Sequence, residues 1–277
     1  MTSSSESISQ HEQMALVRDR FTRTAGVFAD YVLNQRVFEA ERLLRLVAPG
    51  GSERALDVAC GPGTLARIFA PHVRWIGGLD LTPAMLERAR REAAERKLAN
   101  FCAIRGNVLQ TPFYDQSFDL VVTSYSIHHL PDAAAGLGEV ARILKRGGRF
   151  GMLDMIVSEN PAIARACNDI EIARDASHTR TLPLSEFERL LASFGLGIRA
   201  REIIEHPRTF DQWMRTAGSK RGDAEYEATR NLLEASMPND TAGLRARFLD
   251  EPPQDAADAR PDIELIHTAL YLTAEKQ

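Results

Sequence analysis

The chain of 277 residues holds three cysteines, Cys60, Cys102 and Cys167. They are odd in number, far apart and in no Cys-x-x-Cys arrangement, so neither a disulfide framework nor a zinc site is read from them. Their reduced form fits a reducing compartment. No His-rich cluster is present either, and no metal is expected. No apolar run approaches the length of a membrane span, and the first residues lack the apolar core of a signal peptide. The expectation is a cytoplasmic protein with no membrane partner. Basic charge is not in excess: Lys and Arg number 34 against 38 Asp and Glu, a formal net charge of −4. That balance gives no bulk attraction to nucleic acid, so no nucleic-acid partner is expected. Internal repeats are absent.

The elements that are present alternate. The opening MTSSSESISQ is Ser-rich and polar and predicts a disordered tail over residues 1–10. Residues 11–48 read as a helical N-terminal cap, with Phe28, Val32, Phe38, Leu43, Leu44 and Val47 at helical spacing. The run APGGSE then breaks the pattern, and 49–277 reads as the main domain. Strands are expected at 54–59, 74–80, 101–105, 118–124 and 149–155, and helices at 64–71, 83–97 and 133–145. Thr82 before Pro83 starts the second helix; Asp132 caps the third, which is expected to stop at Gly147-Gly148. This order predicts an α/β, Rossmann-like doubly wound sheet with helices on both faces.

Further on, 156–180 reads as a polar helical stretch, and PLSEFERLLASFG (183–195) as a capped helix ending at Gly195. Strands are expected at 196–204 and 263–274, with a helical insertion between them. Helical lid segments over the site are therefore expected at about 156–180 and 207–240. The stretch 250–262 is an acidic, Pro-rich loop.

The stretch ALDVACGPGTLARIFA, residues 55–70, places Gly61-Pro-Gly63-Thr-Leu-Ala66 between a strand and a helix. Glycines there let the backbone turn tightly and approach a ligand, and the helix start offers free N–H groups. Asp80, ending the second strand, is placed to accept hydrogen bonds from a ribose diol. Both features serve a nicotinamide dinucleotide and S-adenosylmethionine equally. Asp57 separates the two: a buried carboxylate beside the loop would repel a pyrophosphate, whereas a sulfonium and an ammonium tolerate it. Asp57 also reads as an acceptor for loop N–H groups.

LDVACGPGTLA, GLDLTPAMLERAR, GNVLQTPFYDQSFDLVVTSYSIHHLPD and LKRGGRFGMLDM occur in that order over about residues 54–155. Together they resemble the class I S-adenosylmethionine-dependent methyltransferases, small-molecule type, and are most similar to the ubiquinone/menaquinone-biosynthesis group. FTRTAGVFADY resembles that group's helical N-terminal segment. The resemblance implies a seven-stranded sheet whose last strand is antiparallel, the strands at 196–204 and 263–274 forming its final hairpin. It implies S-adenosyl-L-methionine as cofactor, with S-adenosyl-L-homocysteine as product. Asp57, Ala59, Cys60, Gly61 and Gly63 would line the methionine and ribose part of the pocket, and Asp80 would bind the ribose hydroxyls. Leu81 and Met85 would lie against the adenine, beside Gly106, Asn107 and Val108. The family usually carries Gly-Asp where this chain has Gly106-Asn107, so the charge-assisted part of the bond to the adenine amine is lost. Ser124 would sit by the methionine moiety, with His129 next to it.

On the acceptor side, His128 and His129 follow the fourth strand, on the rim where open α/β sheets bind ligands. A neutral imidazole there can take a phenolic or enolic proton, or it can simply pack beside the cofactor. Asp154 ends the fifth strand at the same rim, to position a substrate hydroxyl or to cap the next segment. The run ARDASHTR brings Arg174, Asp175, His178 and Arg180 together. Arg174 or Arg180 would bind a carboxylate, or hold the lid in an Arg–Asp network. His129, Asp154 and His178 are thus the catalytic candidates, and Arg174 and Arg180 the substrate-binding ones. Phe210 and Trp213 read as core or as an aromatic-accepting wall. No N-P-P-Y or D-P-P-Y follows the fourth strand, which argues against nucleic-acid amino groups as acceptors. The expected function is methyl transfer to O or C of a small, aromatic or polyketide-like metabolite, by a monomer or homodimer. The alternatives are a regulatory or non-methylating S-adenosylmethionine-binding protein and an NAD(P)-dependent oxidoreductase.

Overall fold

A computed structural model of the chain describes residues 9–250 and 260–277. The disordered tail expected over 1–10 lies outside the described residues except for Ser9 and Gln10, and these two are ordered. Ser9 is the N-cap of helix α1 (Gln10–Arg23), its side chain accepting the Glu12 N–H while Glu12 reaches back to the Ser9 N–H. This reciprocal pair satisfies two of the backbone donors a helix start leaves free. The stretch read as one helical cap is three helices: α2 (Ala25–Gln35) and α3 (Val37–Val47) follow α1, with breaks at Thr24 and Arg36. Most of the acidic loop read at 250–262 also lies outside the described residues.

Strands and helices then alternate as β1 (Arg54–Val58), α4 (Thr64–Phe69), β2 (Trp75–Asp80), α5 (Pro83–Glu95), β3 (Phe101–Arg105), β4 (Phe118–Ser124), α6 (Ala133–Ile143) and β5 (Leu144–Ile156). Asp132 caps α6, its side chain accepting the Ala135 N–H at 2.9 Å. That helix ends earlier than expected: Gly147 and Gly148 lie inside the long β5, and Gly147 takes a left-handed φ of 72°.

The remainder is α7 (Pro161–Arg174), α8 (Leu184–Ser193), β6 (Leu196–Thr209), α9 (Phe210–Thr216), α10 (Ala224–Ser236), β7 (Arg247–Phe248) and β8 (Ile263–Lys276). Of the expected lid segments, 156–180 holds a helix only over Pro161–Arg174, and 207–209 belongs to β6. The sheet order is β3-β2-β1-β4-β5-β8-β6, with β7 pairing β8 at its side. β1 to β5 are parallel, and β8 runs antiparallel between β5 and β6. The seven-stranded reading with an antiparallel last strand holds, with the two-residue β7 added.

The parallel strands are covered on both faces, so they are apolar at consecutive positions. Leu56, Val121, Phe150 and Met152 pack towards α6 and α8, whereas Ala55, Ile76, Leu120 and Val122 pack towards α3 and α4. A third cluster joins α7, α9, α10 and the start of β8 around Trp213, Phe210, Tyr226 and Leu233, all buried. Phe210 and Trp213 are therefore core. Strand order reverses between β1 and β4, and at such a switch point the loops after neighbouring strands diverge and leave a crevice.

Candidate active site

The crevice at the carboxyl ends of β1 and β4 is occupied by a cleft of about 870 Å³, counting its mouth. Its inner wall is the glycine turn after β1. Ala59 and Gly61 both take left-handed φ, 53° each, which turns the chain back on itself before α4. A Cβ added to Gly61 would meet nothing within 4 Å, because this residue borders open cleft. Gly63 has a different reason to be glycine. Its φ is 88°, and an added Cβ would lie 3.2 Å from the Ala89 side chain on α5.

Asp80 organises this wall. Its two carboxylate oxygens accept the Gly61 and Thr82 N–H groups, each at 2.8 Å, which ties the loop after β1 to the loop after β2. Burial raises its pKa above the ordinary carboxylate value, against the pull of those N–H bonds. A carboxylate has about four lone-pair sites, so acceptor capacity remains for a ligand in the cleft. Asp57 sits behind the loop rather than on it. It is fully buried and accepts the Ala66 N–H at 3.2 Å; burial raises its pKa strongly. Of the residues expected on the cofactor side, Ala59, Cys60, Gly61, Asp80, Leu81 and Met85 line the cleft. So do Gly106, Val108, Ser124 and His129, whereas Asp57, Gly63 and Asn107 do not. The Asn107 amide oxygen accepts the Leu109 N–H at 3.0 Å.

The N-terminal helices also wall the cleft. Met14, Val17, Phe21, Phe28 and Val32 present an apolar wall, and Arg36 follows at the α2–α3 break. The sequence reading placed the roof in the C-terminal insertion; α9 and α10 instead pack into their own core with α7 and β8. The periodicity of 11–48 was legible as helix, but nothing in it said which face would meet the loops after β1 and β4.

Beyond Ser124 the chain turns through Tyr125, whose φ of 51° is left-handed and costly for a bulky side chain. Tyr125 borders the cleft, its hydroxyl is buried without a hydrogen-bond partner, and the Arg36 guanidinium lies 3.9 Å from its ring centre. Among the described lining residues, Asp80 and Arg36 carry full charge. Asp80 could accept from hydroxyl or ammonium donors of a ligand, and Arg36 could bind a carboxylate.

His129 lines the cleft, with the Phe21 ring edge-on at 5.3 Å between centroids. Its Nδ1 lies 3.0 Å from the Ser177 carbonyl oxygen. A carbonyl only accepts, so Nδ1 carries the proton and Nε2 keeps a lone pair. Burial, with His128 close by, pushes the His129 pKa down to about 3, and the ring is neutral at physiological pH. His178 stacks obliquely on His128 at 5.4 Å, gives its Nε2 to Asn168 at 2.9 Å, and is pushed by burial to about 4. It does not border the cleft.

Asp154 does not reach the cleft either. It is completely buried and accepts the Ile127 N–H at 2.8 Å, the Met155 N–H at 2.8 Å and His128 Nδ1 at 2.5 Å. Burial alone would raise its pKa; His128 and the N–H groups outweigh that and hold it below the ordinary value. Its place is that of a staple holding the turn after β4, the capping role among the two read from the sequence. The two arginines expected to meet substrate are engaged elsewhere. Arg174 pairs with Glu171 at 3.1 Å and lies over the Trp213 ring, and Arg180 pairs with Glu186 on the surface. The Arg–Asp network read as the alternative does exist, with Arg20 of α1 as its cation: Arg20 Nε meets Asp175 at 2.7 Å, both side chains buried. Among the described residues no cluster of His, Cys, Asp and Glu could hold a metal ion, and no helix is long and apolar enough to cross a membrane.

Residues 55–148 match the family model described as a methyltransferase domain. YcgJ of Bacillus subtilis, named an uncharacterized methyltransferase, is 29% identical over 216 residues, 78% of this chain and 85% of that protein. Its crystal structure superposes with a TM-score of 0.77 at 25% identity, over 87% of this chain and 99% of that one. The aklanonic acid methyltransferase DauC of a Streptomyces species is 41% identical over 112 residues, 39% of this chain and 51% of that protein. The demethylmenaquinone methyltransferase of Thermotoga maritima is 35% identical over 119 residues, 42% of this chain and 49% of that protein. With the strand order, the glycine turn and Asp80 in place, these likenesses assign the chain to the class I S-adenosylmethionine-dependent methyltransferase family.

Proposed function

We propose that the protein transfers a methyl group from S-adenosyl-L-methionine to an oxygen or carbon of a small, largely apolar, aromatic or polyketide-like metabolite. One observation carries this reading: a single cleft is lined by Asp80 and an open glycine turn, and also by a neutral histidine with Phe21 of the apolar helical wall edge-on to it. Relatives named for aklanonic acid and for demethylmenaquinone support a small-molecule acceptor.

When bound, S-adenosylmethionine supplies an electrophilic methyl group on a sulfonium sulfur. Asp80 would accept from the ribose hydroxyls, with Leu81 and Met85 beside the adenine and Ser124 beside the amino-acid end. Arg36, the cation of the lining, would take the cofactor's carboxylate; this replaces the roles considered for Arg174 and Arg180. Phe21, Phe28, Met14 and Val17 would hold the acceptor and exclude water, which aligns the reacting atoms and prevents hydrolysis. His129 would receive the proton of an acceptor hydroxyl at Nε2. A hydroxyl oxygen that has begun to bond to carbon becomes a strong acid, so even an imidazole of depressed basicity suffices once transfer is under way.

The test pairs calorimetry with turnover. The protein should bind S-adenosylhomocysteine and ignore NADH, and it should release S-adenosylhomocysteine when given S-adenosylmethionine with a panel of phenols, quinols and β-dicarbonyls. NADH binding without a response to S-adenosylhomocysteine would overturn the reading.

A further inference from the structure

His129 is held by a chain of contacts that begins on a different element. The segment 175–180 is laced to the turn carrying the histidines: the Thr179 and Arg180 N–H groups donate to the His128 carbonyl at 2.9 and 3.2 Å. The Thr179 hydroxyl oxygen lies 2.7 and 2.8 Å from the His128 and Leu130 carbonyl oxygens, which share its one proton. Within this segment Asp175 accepts from Ser177 twice, from its N–H at 3.0 Å and its hydroxyl at 2.7 Å. Because the Ser177 hydroxyl spends its proton on Asp175, its oxygen can only accept from His129 Nδ1, 3.2 Å away. The Nδ1 proton therefore meets two acceptors of one residue, the Ser177 carbonyl and hydroxyl oxygens.

The support continues into α1. Arg20 Nε meets the other Asp175 oxygen at 2.7 Å, Arg20 also donates to the Thr216 carbonyl, and the Gln13 side chain donates to the Ser177 carbonyl at 2.8 Å. Gln13, Arg20, Asp175 and Ser177 are all buried. A buried guanidinium, a buried carboxylate and a buried serine linked in series to one ring nitrogen cost desolvation that general packing does not require.

We propose that Asp175 and Ser177 are positioning residues, completed by Arg20 and Gln13 of α1, that lock His129 in the Nδ1–H tautomer and leave Nε2 to accept the acceptor's proton. This rests on the methyl-transfer reading above. The same helix that walls the acceptor site through Met14, Val17 and Phe21 thereby fixes the base, so the base is set only when the wall is in place. The charged and titratable groups around the ring are His128 at 4.3 Å, His178 at 6.3 Å, Asp175 and, behind it, Arg20.

Nitrogen-15 NMR of the full chain, labelled at histidine and saturated with S-adenosylhomocysteine, tests this. Wild type should show His129 Nε2 in the unprotonated range and Nδ1 in the protonated range. D175A should bring in the Nε2–H tautomer, and D175N, which keeps an acceptor for Ser177, should restore most of the wild-type pattern. Affinity for S-adenosylhomocysteine should stay within about twofold in both. Should D175A fail to fold, S177A replaces it, with a smaller expected tautomer shift because the carbonyl acceptor remains. A wild-type His129 protonated at Nε2, or a tautomer unmoved by D175A or S177A, overturns the proposal. With an acceptor from the panel, D175A should lower kcat by about tenfold to a thousandfold at unchanged KM for S-adenosylmethionine. Wild-type protein with no methyl transfer to any panel member would count against the function and leave the tautomer result standing.

Discussion

The guanidinium of Arg36 lies 3.9 Å from the centre of the Tyr125 ring, at the edge of the cleft and at the break between two helices. Glu39, the carboxylate nearest to it, is 3.9 Å away and does not hydrogen-bond it. The guanidinium lies against Tyr125 and Tyr31, a hydrogen bond to Tyr31 included, and its five N–H groups leave donors for a ligand. R36A should lose about tenfold to a hundredfold in affinity for S-adenosylhomocysteine, the weight of a charge-assisted hydrogen bond. Its affinity for 5′-methylthioadenosine, which lacks the amino-acid part, should not change. Equal losses for both compounds would move Arg36 away from the carboxylate.

Asp80 ties two loops together, and in the proposed function it also accepts from the ribose. D80N keeps an acceptor oxygen for one of the N–H groups at Gly61 and Thr82 and removes the charge. Calorimetry should show S-adenosylhomocysteine binding weakened by at least about tenfold in D80N, with the melting temperature lowered less than in D80A. D80A should lower both, because two buried N–H groups then lose their acceptor.

The two glycines of the turn should fail in different ways. G61A places a methyl group in open cleft at a left-handed φ, so it costs about 1 kcal/mol of stability and obstructs the ligand. G63A meets the Ala89 side chain as well as the strain, so it costs more stability and affects ligand affinity less. Urea unfolding beside calorimetry separates the two. Equal effects on binding would mean that Gly61 does not border the ligand.

Acid should unfold this protein early. Burial depresses His129 to about 3 and His178 and His267 to about 4, whereas each takes up its proton near 6.5 when unfolded. Below pH 6.5 the unfolded chain binds protons that the folded chain refuses, so this contribution to stability is complete above 6.5 and falls as pH drops towards 4. The slope is about 1.4 kcal/mol per pH unit for each histidine. Asp57 and Asp80, raised by burial, work in the opposite sense nearer the carboxylate range. A difference measurement isolates one site: between pH 6 and 4.5, H178N should lose stability less steeply than wild type by about 1.4 kcal/mol per pH unit. Parallel curves would show that His178 is not neutral in the fold.

The parallel core was legible because its signals are local and repeated. Apolar runs such as ALDV and FDLVVTS end at residues with turn chemistry; Asp80 and Ser124 each end a strand, and Gly61 lies in the loop just after one. What escaped depends on distant pairings. Asp154 ends a strand on the ligand rim, but three N–H or ring donors turn its carboxylate inward, and no spacing in the sequence records that. Arg174 and Arg180 lie in a run that suggested anion binding, yet Glu171 and Glu186 engage them. Arg36 is not legible as a site residue, because a cation in a helical stretch usually marks a solvated face. Its signal was present in the break of periodicity beside it.

The wall of the cleft has a consequence for how such an enzyme can change. Residues that would hold the cofactor come from the loops after β1, β2 and β4, with Arg36 added from the α2–α3 break, while the acceptor would meet Met14, Val17, Phe21, Phe28 and Val32, all ahead of Arg36. The selective half of the reaction chamber is therefore written in one contiguous stretch at the start of the chain. Grafting a different stretch of that length onto the same sheet would exchange the acceptor and leave the methyl donor's seat intact, provided the newcomer still carries partners for Asp175 and the Ser177 carbonyl.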